Sequence, residues 1–402
     1  MTEGTGGIML RIKRLTAFVL IVLLALVPLS AVMGMENNTD SSAAAREDDR
    51  DDTVRGIWLS YGDYAPLGLS IFDSEAAYRD NADRFLQEAS KYGINTVFLH
   101  ARAFDDAFWR SKTFHASKYI GGNEALSAEE AYAGYDPFGL FLEEAHKYGI
   151  KVHAWLNPYR VSRDYYYDPA DDASIERVLT AVEELLAFES SGERIDGIHL
   201  DDYFYNAGKG YYKEGKPDER YAIVGSEKDR PETGEYVVVT PAEKRENVNR
   251  MVKAIYKTVS GAGRSFGISP AANYDLDMES GADIDTWLSE DGYIDYIIPQ
   301  VYWSNQWGEN GDVSMFSDRL EQFLEKRKNQ VKFYAGLALY KTDEEESGSY
   351  DPGWRKKASN LAEQIKELGE KGADGYVYFS AQFLYRSCAR EELSNLSSVL
   401  SS

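Results

Sequence analysis

Cysteine is almost missing: Cys388 is the single one in 402 residues. That excludes an intramolecular disulfide and any cysteine-rich zinc or iron–sulfur site. Basic side chains are also scarce, 44 Lys and Arg against 67 Asp and Glu, which leaves a net charge of −23. A surface this acidic argues against nucleic acid as a partner and against docking on anionic lipid. No Gly-rich dinucleotide fingerprint follows the first strand candidate, and neither a P-loop nor a Gly-x-Ser-x-Gly nucleophile elbow occurs. No lysine stands at a strand end to form a Schiff base, and the histidine-bearing strands lack close ligand spacing. Neither a cofactor nor a metal is therefore expected. No internal repeat of solenoid period is visible.

What the chain does have is a 43% hydrophobic content, enough for a full core, and 13% aromatics with 29 tyrosines. Residues 1–34 carry the layout of a secretory signal: Arg11, Lys13 and Arg14, then the apolar run Leu15–Val27, then small residues at Ala31 and Gly34. The run's 13 residues fall short of the roughly 18–20 that span a bilayer. No stable membrane span is expected once the signal is cleaved; retention as an anchor is the alternative. Cleavage would remove Glu3 with the three basic residues and move the charge from −23 to −25. Residues 35–52 are polar and acidic and read as a flexible leader. An exported chain with one cysteine suits a bacterial protein, secreted or held at the cell surface or envelope.

From residue 53 to 402 short apolar runs alternate with amphipathic helical stretches. Eight strand candidates stand out: Val54–Ser60, Thr96–Ala101, Lys151–Leu156, Gly197–Asp201, Ser265–Pro270, Tyr296–Val301, Lys332–Leu337 and Gly375–Phe379. Most are continuous rather than alternating, as strands buried on both faces are. Helical patterns lie between them, among them Ala76–Tyr92, Pro241–Ser260 and Trp354–Lys371. The fold expected is α/β, a (β/α)8 TIM barrel with enlarged βα loops. The polar segment Asn206–Thr240 is the longest of these loops and of the size that covers or shapes a site.

In such a barrel the chemistry sits just past the strand C-termini. There the sequence places Ser60-Tyr61, His100 and Arg102 with Asp105-Asp106, and Trp155 through Arg160. Further ends carry His199 with Asp201-Asp202-Tyr203, Asn273, Gln300 with Tyr302-Trp303, and Gln382. Carboxylates do acid–base and nucleophilic work at glycosidic bonds; amides and imidazoles hydrogen-bond hydroxyls, and flat rings pack on sugar C–H faces. Alternation puts His199 and Asp201 on one face, expected to be the barrel mouth. Asp201 and Asp202 are adjacent, so a second carboxylate on the far side of a sugar would come from Asp106, Asp63 or Asp275. The catalytic candidates are Asp201, Asp202 and Asp106. The binding candidates are His100, Arg102, Trp155, Asn157, His199, Tyr203, Asn273, Gln300, Tyr302 and Trp303. For His100 a hydrogen-bonded core role competes with a functional one, and Trp155 and Trp303 would serve equally to close the barrel top.

At these positions the chain resembles the glycosyl hydrolase family 10-like proteins of the YngK type. The resemblance rests on Arg55-Gly56-Ile57-Trp58, on His153-Ala154-Trp155-Leu156-Asn157-Pro158-Tyr159-Arg160, and on Asp196-Gly197-Ile198-His199-Leu200-Asp201-Asp202-Tyr203. Gly267-Ile268-Ser269-Pro270 and Pro299-Gln300-Val301-Tyr302-Trp303 extend it. It implies an exported bacterial barrel acting as a glycoside hydrolase on a polysaccharide or oligosaccharide. Peptide-stripped peptidoglycan is the implied example, which a strongly acidic protein accepts more readily than a more anionic wall polymer. The motif around Asp201 is also similar to the strand-four motif of the α-amylase superfamily, where the matching Asp is the nucleophile. Here His199 replaces the Arg of those enzymes and no Glu follows strand five, so the resemblance does not supply the proton donor. A glycan-binding barrel without turnover is the alternative reading.

Overall fold

Eight apolar runs need partners for their backbone groups, and a closed parallel ring supplies them without leaving an edge. The computed structural model of the protein describes residues 53–400 apart from 207, 214, 217 and 218. The expected signal (1–34) and leader (35–52) lie outside the described residues. The barrel strands are β1 (Val54–Leu59), β2 (Thr96–Arg102), β3 (Lys151–Leu156) and β4 (Gly197–Asp201). They are followed by β5 (Ser265–Ser269), β6 (Tyr296–Ile297), β7 (Lys332–Leu337) and β8 (Gly375–Phe379). They pair in chain order, and β8 closes on β1 with Val54 opposite Gly375. The (β/α)8 expectation holds.

Helices cover the outside: α1 (Glu75–Lys91), α2 (Pro137–Lys147), α3 (Asp172–Ala187), α4 (Pro241–Gly261), α5 (Ile284–Trp287), α6 (Met315–Lys326), α7 (Asn360–Glu370) and α8 (Arg390–Leu400). Their starts are written locally. Thr240 and Glu243 form a reciprocal capping box ahead of Pro241, and Asp136 caps the first turn of α2 with Pro137 behind it. No helix among the described residues is long and apolar enough to cross a membrane.

Two elements are shorter than their apolar runs suggest. β6 stops at Ile297 because Pro299 has no N–H for the ladder, although Gln300 still bridges Gly336. The run Trp354–Lys371 breaks into a short turn, Gly353–Lys356, and α7. The buried Asn360 side chain donates to the Gly353 and Lys357 carbonyls, and the Glu392 carboxylate holds the Asn360 and Leu361 amides at the break.

The barrel interior is filled by rings. Trp58, Phe98, Trp155 and Tyr296 pack there with Ile298 and Val377. Glycines across from them make the room. A Cβ on Gly267 would lie 2.2 Å from the Tyr296 ring, and one on Gly197 2.5 Å from the His153 ring. Within the long loop after β4, the strands Gly210–Tyr212, Arg220–Val224 and Tyr236–Val238 join Tyr165–Tyr167 in a second, four-stranded sheet.

Candidate active site

The C-terminal ends of the strands enclose a cavity of about 290 Å³. Asp201, Asp202 and Tyr203 follow β4 into it; Trp155 and Asn157 come from β3, His100 from β2, and Gln300 and Tyr302 from the chain after β6. Those are eight of the residues singled out in the sequence. Ser60, Tyr61, Gly62, Tyr340 and Phe379 complete the wall. Trp155 Nε1, a buried polar atom of the lining, has no hydrogen-bond partner among the described residues, whereas the His100 and Asn157 side chains interact with one another. A larger cavity, about 620 Å³, lies beside the loop sheet between Tyr205, Tyr211, Lys244 and Glu279. It is lined by no barrel-strand residue and by neither member of the adjacent carboxyl pair.

Asp201 is 8% exposed. Its Oδ1 accepts from the Asp202 amide at 3.0 Å and from Gln300 Nε2 at 3.0 Å, and the same Gln300 nitrogen donates to the Ser269 carbonyl at 2.9 Å. Burial raises the Asp201 carboxyl, while these donors and the Arg160 guanidinium pull the other way. Asp202 is pushed well up, first by burial, then by the Asp201 and Asp277 charges. Both carboxyls are raised, Asp202 the more strongly: Asp201 is the better supported carboxylate and Asp202 the better supported acid. Pairs divided in this way are how one site supplies an acid and an anion at one pH.

Burial, with Arg160's charge added, holds His100 well below its ordinary pKa and keeps it neutral. Its Nδ1 accepts from the Tyr61 amide at 3.2 Å, so the proton rides on Nε2. The ring lies on Trp155, with centroids 3.8 Å apart. His199 points inward, as alternation requires, but from a deeper layer than Asp201 and without touching the cavity. Its Nε2 accepts from Trp58 Nε1 at 3.3 Å and lies 3.0 Å from Ser269 Oγ, and its ring stacks on Tyr296. Burial lowers its pKa strongly, with His153 and His100 adding to the effect. It is a neutral core histidine beneath the mouth.

Four more candidates stand apart from the cavity. Asp106 turns back on its own loop, where Oδ1 accepts the Ala103 and Phe104 amides at 3.1 and 2.9 Å. Arg102 follows a register shift after His100 and is fully buried, donating to the Asn157 and Pro158 carbonyls and to Asp105. Asn273 caps the helix Tyr274–Glu279, and the Trp303 carbonyl accepts from Gln364 while Arg319 covers its ring. Of the other carboxylates considered, Asp63 is buried against Ser60, Ser380 and the Gln382 amide, and Asp275 is exposed. The sequence reading passed over Asp277, two residues on. It is 1% exposed with Oδ2 unpartnered, and burial lifts it to about 7. Helical phase is the signal that separates it from Asp275.

The site is the C-terminal mouth of a parallel eight-stranded barrel, with two adjacent carboxyls and ringed walls. Residues 161–356 match the family described as Glycosyl hydrolase-like 10. The chain is similar to the glycosyl hydrolase YngK of Bacillus subtilis, 27% identical over 375 residues that cover 79% of this chain and 65% of that one. It therefore spans just under two thirds of that relative's length. It is also similar to the glycosyl hydrolase DigH of Escherichia coli, 28% identical over 415 residues, covering 86% and 87% of the two chains. The C-terminal domain of a protein from Desulfitobacterium hafniense assigned as a chitinase shares the fold, with a TM-score of 0.50 and 10% identity over 87% of this chain and 99% of that domain.

Proposed function

We propose that the protein is a secreted or envelope glycoside hydrolase of a bacterium, cleaving O-glycosidic bonds of peptide-stripped peptidoglycan or another polysaccharide. The observation that carries this reading is the Asp201–Asp202 pair, both raised in proton affinity and Asp202 the more strongly, within a cavity lined by Trp155, Tyr203 and Tyr302. Asp202 gives its proton to the glycosidic oxygen as the C–O bond opens. Asp201, held by Gln300 and its own backbone, faces the positive charge growing on the sugar ring. Water adds to the anomeric carbon and returns a proton to Asp202. Trp155, Tyr203 and Tyr302 pack on the sugar's C–H faces and orient the ring.

The lining also favours a second reading. Its two carboxylates are chain neighbours, and no third carboxylate among the described residues faces them across the cavity. A binding barrel without turnover would need no more than this. Release of reducing ends from peptide-stripped peptidoglycan strands, by wild type and by Asp201→Asn, divides the two. Turnover that falls at least about a hundredfold in the variant supports hydrolysis. Tight binding by wild type with no new reducing ends leaves the binding barrel.

A further inference from the structure

Asp201 and Asp202 are chain neighbours, both line the strand-end cavity, and their carboxyls hydrogen-bond one another. Carboxyl oxygens that share a proton stand about 2.5–2.7 Å apart. A pair that works a glycosidic bond from its two sides needs about 5–5.5 Å for a carboxylate nucleophile and about 6.5–9.5 Å for an interposed water. Asp201 and Asp202 therefore serve one side of a bound sugar. The carboxylates considered for the far side, Asp63, Asp106 and Asp275, line no part of the cavity. Other groups in the wall do not replace them. His100 has its proton on Nε2 and its Nδ1 on the Tyr61 amide. Burial, with the Asp201 and Asp202 charges added, keeps the Tyr203 and Tyr302 hydroxyls protonated. Ser60 Oγ donates to Asp63 and accepts the Gly62 amide.

The protein thus offers a proton and a negative charge on one side of the sugar and no nucleophile on the other. A glycan can bring its own. The carbonyl oxygen of an acetamido group beside the anomeric carbon closes a five-membered ring when it attacks. A nucleophile held in the same molecule acts at an effective concentration of about 10⁵–10⁸ M. We infer that the site acts on 2-acetamido sugars, with the substrate's own acetamido oxygen as nucleophile, Asp202 as acid and Asp201 as acceptor of the acetamido N–H. The inference rests on the hydrolase reading above and deepens it by supplying the group that the wall lacks.

Entry of the sugar parts the two carboxyls, Asp202 turning its proton to the glycosidic oxygen and Asp201 taking the acetamido N–H. The acetamido oxygen then bonds to the anomeric carbon as the glycosidic C–O bond breaks. The electron pair of that bond leaves with the glycosidic oxygen, which keeps the Asp202 proton. Positive charge passes to a bicyclic oxazolinium ion beside the Asp201 carboxylate, which Gln300 Nε2 and the Asp202 amide hold in place. Water adds to the anomeric carbon from the vacated side and gives a proton to Asp202, while the ring C–O bond opens and restores the acetamide. Two displacements at one carbon return the original anomeric configuration.

The test uses peptide-free peptidoglycan strands and N-acetylglucosamine oligomers, each N-deacetylated and then re-acylated with acetyl or with trifluoroacetyl groups. Fluorine draws electrons from the carbonyl oxygen but leaves the amide N–H and nearly the same shape. Reducing-end release by wild type should fall about a hundredfold or more on the trifluoroacetyl form. Binding, read by calorimetry, should stay within about threefold, and proton NMR should find the first product with its configuration retained. A thiazoline analogue of the oxazolinium ion should bind wild type about tenfold or more tighter than Asp201→Asn, whose amide carries no charge to face it. Equal turnover of the two acyl forms, an inverted first product or a sugar trapped covalently on the enzyme overturns the inference and leaves hydrolysis standing, whether or not Asp201→Asn folds. Equal thiazoline binding by a folded Asp201→Asn overturns the role given to Asp201. No cutting of either glycan also overturns the inference, and the hydrolase reading then survives only if a glycan without acetamido groups is cut.

Discussion

Asp277→Asn should convert a pH-dependent weakness into a constant one. Asp277 lies on the helix Tyr274–Glu279, its Oδ1 accepting the Ala271 amide at 2.9 Å and its Oδ2 buried without a partner. Burial lifts the carboxyl from 3.8 to about 7 against the pull of the Ala271 and Asn273 amides and the Arg319 charge. A folded-state pKa above the unfolded value means stability that is complete below the unfolded pKa of 3.8 and lost as pH rises through about 7. At about 1.4 kcal/mol per tenfold, the loss reaches about 4 kcal/mol on the alkaline side. Asparagine keeps the acceptor for Ala271 but leaves a buried NH2 where Oδ2 was, at a cost of about 1–3 kcal/mol. Urea unfolding at about pH 5 and about pH 8 therefore finds the variant gaining on wild type by about 2–3 kcal/mol between the two. Parallel curves, with a constant difference across that range, refute the reasoning. The same substitution removes one of the charges that raise Asp202, so any activity requiring protonated Asp202 should lose its alkaline limb at lower pH than wild type.

The strand ring was legible because each barrel strand is a continuous apolar run, and seven of the eight keep nearly the length the runs suggest. Alternation correctly turned His199 inward but could not set its depth. Two residues along a strand is about 7 Å, enough to separate a wall of the cavity from the core beneath it. Arg102 was misplaced by a register shift after His100, which no local pattern marks. Asp106 was lost to the Ala103 and Phe104 amides, a short-range competition that any loop carboxylate can enter. What makes Asp201 the better supported anion is Gln300, 99 residues away, with the charge of Arg160 added. Such pairs exist only once the barrel has closed.

Gly267→Ala should cost about 1–3 kcal/mol or more by overpacking. The new methyl would lie 2.2 Å from a Tyr296 ring tied through its hydroxyl to the Ile198 carbonyl and His153; an unchanged thermal melt would show that the ring can yield. Gln300→Leu removes a donor from Asp201 and should move the acidic limb of kcat/KM upward by about one pH unit or more; a fixed limb would mean that Gln300 does not tune Asp201. Asp202→Asn tests the acid itself. Asparagine matches the neutral carboxyl in shape and removes the charge clash with Asp201, so folding and glycan binding should survive. It has no proton to give, and turnover of a natural glycan should fall about 10²–10⁴-fold. An aryl glycoside whose phenolate leaves without protonation does not need that proton, so its hydrolysis should fall far less. If both substrates lose rate equally, Asp202 is not the acid, and the raised proton affinity it shares with Asp201 reflects only the burial of two neighbouring carboxyls.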